Sequence, residues 1–271
     1  MELNYRKIGE QGAPLFVLHG LYGCSDNWMS IGRHLAERYQ VYLIDLRNHG
    51  RSFHDAEHSY DAMVADLAWL IQDLELDKVT IVGHSMGGKV AMKLAADYPE
   101  KVEQLVVLDI APKNYMEDSV QTGQYGFHRH LIRTMLNTDI AEAANLREVD
   151  ELLQTKIPEQ RLRQFLMKNV GRNTGRKYQW RFNLKALDEW LDEIVGGVDF
   201  RELEDRMPIL NYPVLFVRGG SSAYIEKDDE DRIRMIYPEA EIQTIEGAGH
   251  WLHAEQPAAL VDQLKLFLKN L

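Results

Sequence analysis

Four short runs in this chain are continuously apolar: PLFVLHG (Pro14 to Gly20), QVYLIDL (Gln40 to Leu46), KVTIVGH (Lys78 to His84) and VEQLVVLDI (Val102 to Ile110). Two more, PVLFVRG and AEIQTIEGAGH, follow towards the C-terminal end. Neighbouring strand residues point to opposite faces, so a strand without polar alternation is buried on both, as in a parallel sheet sandwiched by helices. The stretches between supply such helices. Trp28, Ile31 and Leu35 recur at helical spacing, as do Met63, Leu67, Leu70, Ile71 and Leu74. Val90, Leu94 and Ala95 do the same, and so do Leu260, Leu264 and Phe267. Strand and helix in alternation predict an α/β fold with a mostly parallel sheet covered on both faces.

The alternation stops between about Pro112 and Pro208, where ANLREVDELLQTK, EQRLRQFLMKNV and NLKALDEWLDEIV read mainly as helix. The strand pattern resumes at Pro213, so the outer segments need each other to complete one sheet. The expected organisation is a core from residues 1–111 and 209–271, with 112–208 inserted as a helical lid.

A length of 271 residues with 45% apolar and 27% charged side chains suits a soluble chain with a sizeable core. The net charge of −11 argues against nucleic acid or an anionic membrane surface as partner. The one cysteine, Cys24, rules out an internal disulfide and a thiolate metal site, and a reducing compartment fits. The first residues lack an apolar signal core, so a cytoplasmic location is expected. Oligomeric state leaves no mark on the sequence.

Chemistry enters at VTIVGHSMGGKVAMKLAADYP, where Gly83-His84-Ser85-Met86-Gly87 spells G-x-S-x-G. The bare pattern arises by chance in on the order of one chain in ten of this size. Here an apolar strand leads in and a helix leads out. A sharp strand-to-helix turn exposes the serine Oγ, and a side chain two residues to either side would collide with that turn. The helix N-terminus beyond favours developing negative charge. The competing reading is a serine capping a helix in a glycine-rich turn.

His19-Gly20 after the first long run, DLRNHGRS after the next, GHSMGG and GAGHWLHAEQP together resemble the α/β-hydrolase superfamily over nearly the whole chain. The tail motif, with VLDIAP and WRFNL, is similar to a bacterial esterase branch related to abhydrolase-domain-containing protein 11. The resemblance implies the α/β-hydrolase fold and an acyl-transferring serine that uses neither metal nor other cofactor.

A serine hydroxyl needs a general base beside it. His250 stands in a glycine-rich loop after a strand and before the last helix, on the rim expected for Ser85; His253 is its near rival. His84 is expected to pack away from the nucleophile. His54 with His58, and His128 with His130, have metal-like spacing, but no carboxylate or thiolate completes a set, and solvated surface is expected. The resemblance makes His19 a support for the oxyanion loop.

The imidazole needs a carboxylate on its other nitrogen, and in this fold the chain order is serine, acid, histidine. Asp45 precedes the serine and drops out. The usual loop for the acid, after PVLFVRG, holds Ser221, Ser222 and Ala223. Asp228, Asp229 and Asp231 read as the first turn of a helix, where acids are favoured for dipole reasons alone. Asp109, closing LVVLDIAP, is the better candidate, and the resembling esterase branch places its acid at that strand. The alternative is a turn residue before Ala111-Pro112.

The backbone N–H groups of Met86 and Leu21 are the expected oxyanion donors. Tyr22, Trp28, Phe127, Trp180, Phe182 and Trp251 are expected to line an apolar substrate pocket, with Trp28 and Trp180 equally readable as core. Arg172, Lys177 and Arg181 could instead meet an acidic group of the substrate. The reading is a cofactor-independent serine hydrolase of small to medium acyl esters. Thioesters such as acyl-CoA come next, then a carbon–carbon bond hydrolase, and outside enzymes a ligand-binding receptor.

Overall fold

A computed structural model describes residues 2–117 and 123–268. The first part of the core runs Tyr5–Ile8 (β1), Pro14–Leu18 (β2), Met29–Leu35 (α1), Gln40–Ile44 (β3), Tyr60–Asp73 (α2), Val79–His84 (β4), Met86–Asp97 (α3) and Val102–Leu108 (β5). Between the core parts come Gln124–Leu136 (α4), Leu146–Gln154 (α5), Gln160–Met167 (α6), Val170–Arg172 (β6), Tyr178–Trp180 (β7), Leu184–Glu189 (α7), Leu191–Gly196 (α8) and Phe200–Glu204 (α9). Val214–Gly219 (β8), Lys227–Ile236 (α10), Glu241–Ile245 (β9), Leu252–Glu255 (α11) and Pro257–Leu268 (α12) complete the core.

Seven strands form one sheet in the order β1-β3-β2-β4-β5-β8-β9, parallel except for β1, which pairs antiparallel with β3. The six apolar runs supply its six parallel strands. Along each, alternate residues enter two separate cores. Leu15, Val17, Val41, Leu43, Val106, Leu108, Leu215 and Val217 meet α1 through Ile31 and Leu35, and α12 through Leu260, Leu264 and Phe267. Phe16, Leu18, Ile44, Ile81, Leu105, Val107 and Phe216 face the opposite way, onto α2, α3 and the inserted helices. Each fully buried Leu, Val, Ile or Phe contributes about 2 kcal/mol relative to exposure. A strand slipped by one residue would exchange the two faces, so burial on both sides fixes register.

The inserted segment packs onto the second core through Leu131, Ile132, Met135, Leu153, Leu166 and Leu187. Polar ties reinforce it. Lys89 on α3 is buried, and its ammonium donates to the carbonyls of Lys113 (3.0 Å), Val195 (3.4 Å) and Gly197. Asn169 Nδ2 donates to Tyr22 O at 3.0 Å, and Tyr60 Oη to Ile194 O at 2.8 Å. This segment was expected to be mainly helical and also holds the β6–β7 hairpin, three residues a side. A pairing that short leaves no readable alternation. Among the described residues, no helix is long and apolar enough to cross a membrane.

Candidate active site

The parallel order brings the ends of β4, β5, β8 and β9 to one rim, and the candidate residues sit there. Ser85 follows β4 at φ 53°, ψ −121°, a left-handed conformation that a non-glycine residue adopts only where its surroundings impose it. Its N–H donates to Leu108 O at 3.0 Å, extending the β4–β5 ladder by one bond before the chain turns into α3. The flanking glycines are required by backbone approach. A Cβ on Gly83 would lie 2.2 Å from Gly87 O, and one on Gly87 would lie 2.5 Å from His19 O and 2.6 Å from Leu18 O. The obstruction is therefore with the turn itself and with β2.

Asp109 follows β5, also at positive φ (49°) and with no exposure to solvent. Its N–H bonds Val217 O on the adjacent strand at 2.8 Å. Three donors converge on its carboxylate: Gly219 N–H on Oδ1 at 2.8 Å, the Ser222 hydroxyl on Oδ2, and His250 Nδ1 on Oδ2 at 2.8 Å. The other ring nitrogen of His250, Nε2, lies 3.0 Å from Ser85 Oγ. A carboxylate accepts only, so Nδ1 carries the proton and Nε2 turns its lone pair to the serine hydroxyl. The loop after β8, lacking an acid at Ser221–Ala223, instead contributes the Ser222 hydroxyl and Tyr224. The Tyr224 ring stacks on His250 with centroids 3.7 Å apart and planes 15° apart.

The amides of Met86 and Leu21 donate to no protein acceptor among the described residues, and both residues border the void over Ser85. The loop bearing Leu21 is fixed on both sides. His19 Nδ1 donates to Gly20 O at 2.8 Å while its Nε2 accepts from Leu46 N–H at 3.0 Å. Tyr22 N–H donates to His49 Nε2 at 3.2 Å, and His49 Nδ1 donates to Arg47 O at 3.0 Å. Burial pushes both imidazoles below their ordinary pKa, which keeps each in the one tautomer that these bonds allow. The acidic alternatives stand apart. Asp45 accepts backbone amides from Ser25 and Arg51, and Asp229 pairs with Lys113 at 2.9 Å at the start of α10.

Several expected assignments are corrected. Trp28, 1% exposed, belongs to the core on the α1/α12 side and stacks on His253 at 4.5 Å. Trp180 and Phe182, both on the inserted segment, stack with centroids 5.8 Å apart, and Tyr22 meets Phe182 edge-on at 5.9 Å. Phe127 is 39% exposed on α4. Trp251 packs on Phe165 and borders a separate cleft of about 940 Å³. Residue type alone could not say which aromatic faces which space. The void of about 30 Å³ over Ser85 is lined instead by Tyr60, Ile110, Tyr115, His128, Ile194, Val195 and Tyr224, together with Leu21, Met86, Lys89 and Gln124. His58 and His128 are likewise not solvated surface. His58 is fully buried beside His49, and His128 lies within 3.3 Å of Tyr224 Oη. His253 is buried at the Trp28 stack, and neither of its ring nitrogens has a hydrogen-bond partner among the described residues.

The chain is similar to known proteins over nearly its whole length. A family profile described as alpha/beta hydrolase fold matches residues 13–257. The sn-1-specific diacylglycerol lipase ABHD11 of Danio rerio is 37% identical over 99% of this chain and 83% of its own length. The esterase YbfF of Escherichia coli is 31% identical over the full length of both. A solved structure titled marine microorganism esterase superposes with a TM-score of 0.91 at 41% identity, covering 98% of this chain and 99% of its own.

Proposed function

The chain belongs to the α/β-hydrolase fold family, and from that premise we propose that it is a serine carboxylester hydrolase working through an acyl-enzyme on Ser85. The observation that carries the proposal is the unbroken chain Ser85 Oγ, His250, Asp109, with bonds of 3.0 and 2.8 Å. His250 Nε2 takes the hydroxyl proton as Oγ attacks the ester carbonyl. Asp109 holds the ring in the tautomer that leaves Nε2 free, and stabilises the imidazolium that forms. The Leu21 and Met86 amides meet the developing oxyanion, each such donor being worth about 3 kcal/mol in transition states of this kind. The imidazolium then protonates the departing alkoxide. Water, deprotonated by the same nitrogen, releases the carboxylic acid and restores Ser85.

Leu21, Met86, Ile110, Ile194 and Val195 in the lining over Ser85 support an uncharged acyl group. The helical segment over the rim acts as a lid under this reading, and the single buried cysteine suits a cytoplasmic setting. A thioester would form the same acyl-enzyme. The test is a series of nitrophenyl esters of increasing acyl length beside acyl-CoA thioesters, with Ser85→Ala as control. Turnover highest on short esters and lost in Ser85→Ala is the expected result. A wild-type protein without hydrolysis and without labelling by a fluorophosphonate would favour a ligand receptor.

A further inference from the structure

Asp109 holds the ring of His250, yet the backbone carrying that ring crosses an open loop between the end of β9 at Ile245 and the start of α11 at Leu252. In that loop the two amides flanking His250 point to a single carboxylate. Gly249 N–H donates to Glu255 Oε2 at 2.7 Å, and Trp251 N–H donates to Glu255 Oε1 at 3.2 Å. A Cβ on Gly249 would lie 3.2 Å from both carboxylate oxygens, so glycine leaves room for this approach. The carbonyl of His250 is held from the other side by His84 Nε2 at 2.8 Å. A carbonyl only accepts, so His84 Nε2 is the protonated nitrogen. Burial drives His84 well below the ordinary histidine pKa, and the ring is a neutral donor. The ring is itself boxed by His250 at 4.8 Å, His253 at 5.1 Å and Trp28 at 6.0 Å.

We propose that His84 and Glu255 are positioning residues which clamp the backbone of His250 and so set the distance from its Nε2 to Ser85 Oγ. The inference rests on the hydrolase reading above. His84 is joined to Ser85 by one peptide bond and to His250 by one hydrogen bond, so the nucleophile turn and the base loop share a single anchor. Without the clamp the loop can drift. A shift of about 1 Å takes the 3.0 Å contact outside hydrogen-bond range, and misplacement on that scale costs about a hundred-fold in rate.

The experiment compares wild type with Glu255→Ala, His84→Phe and His84→Gln. Readouts are nitrophenyl ester kinetics, the rate of fluorophosphonate labelling at Ser85, and the downfield proton resonance of the His250–Asp109 bond. Glu255→Ala and His84→Phe should each lower kcat and the labelling rate together by about ten- to a hundred-fold, leave KM within about twofold, and broaden the downfield proton. His84→Gln, which keeps an N–H donor, should recover a large part of the loss. Folded variants with wild-type kcat, labelling rate and proton resonance overturn the proposal, even with a lowered melting temperature. If Glu255→Ala does not fold, His84→Phe decides alone, because it keeps an aromatic ring in the same box and removes the Nε2 donor. A wild-type protein that neither hydrolyses esters nor labels at Ser85 refutes the hydrolase reading instead. The proton resonance then still decides the clamp: broadened in His84→Phe it supports the clamp, unchanged it overturns it.

Discussion

Asp109→Asn changes almost no volume at a site closed to solvent, so its effect reports chemistry more than packing. In the wild type Oδ1 accepts from Gly219 N–H and Oδ2 from His250 Nδ1 and the Ser222 hydroxyl. If the asparagine oxygen keeps the Gly219 bond, its NH₂ faces Nδ1. The imidazole must then accept there and carry its proton on Nε2, against Ser85 Oγ, where no lone pair remains to act as base. If the amide turns over to serve His250, its NH₂ opposes the Gly219 N–H, and a buried donor left unpaired costs about 1–3 kcal/mol. Even then the neutral amide gives the imidazolium no negative partner. The two deficits together predict a fall in kcat of about a thousand-fold or more, some 4 kcal/mol of barrier. Steady-state hydrolysis of a short nitrophenyl ester measures it, with a melting curve showing that the variant is folded. Asp228→Asn, at the start of α10, serves as control and should change little. Equal rates for Asp109→Asn and wild type would refute the reasoning.

Two further outcomes follow from burial and close approach. Folding keeps His58 and His253 neutral, burial pushing each from 6.5 down to about 3, so the unfolded chain binds more protons than the native one between those values. Stability is fully present above pH about 6.5 and falls as pH drops towards 3, by on the order of 1 kcal/mol per pH unit for each such ring, which denaturant titrations at several pH values would show. Stability independent of pH over that range would contradict it. Gly87→Ala places a methyl group 2.5–2.6 Å from the carbonyls of His19 and Leu18, so it should displace the nucleophile turn and abolish turnover. Kinetics and circular dichroism on the purified variant check this, and full activity would contradict the close approach.

The sheet was legible because its strands are buried on both sides, which leaves Leu15 to Leu18 or Leu105 to Leu108 with no polar position. β1 was not, since Tyr5–Ile8 is a partly exposed edge strand with mixed side chains. Ser85 and His250 carry local signatures, a glycine-flanked turn and a glycine-rich loop. Asp109 has none and is singled out by chain order, by the loop without an acid and by the resemblance to the esterase branch. Glu255 and His84 bond backbone groups, Tyr224 offers a ring face and Ser222 gives a hydroxyl to the Asp109 carboxylate, and all four went unread as site components. No spacing in the sequence encodes such contacts. His58 shows the reverse error: with no carboxylate or thiolate to complete a metal set, solvated surface was expected, and tertiary packing buried it.

The most direct measurement is the mass of the protein after rapid acid quench during turnover of a slowly deacylated nitrophenyl ester, followed by peptide mapping. The account predicts an increment equal to one acyl group, located on Ser85, appearing with the burst of nitrophenol and absent from Ser85→Ala. Hydrolysis that proceeds with no adduct, or with the acyl group on another residue, would contradict it.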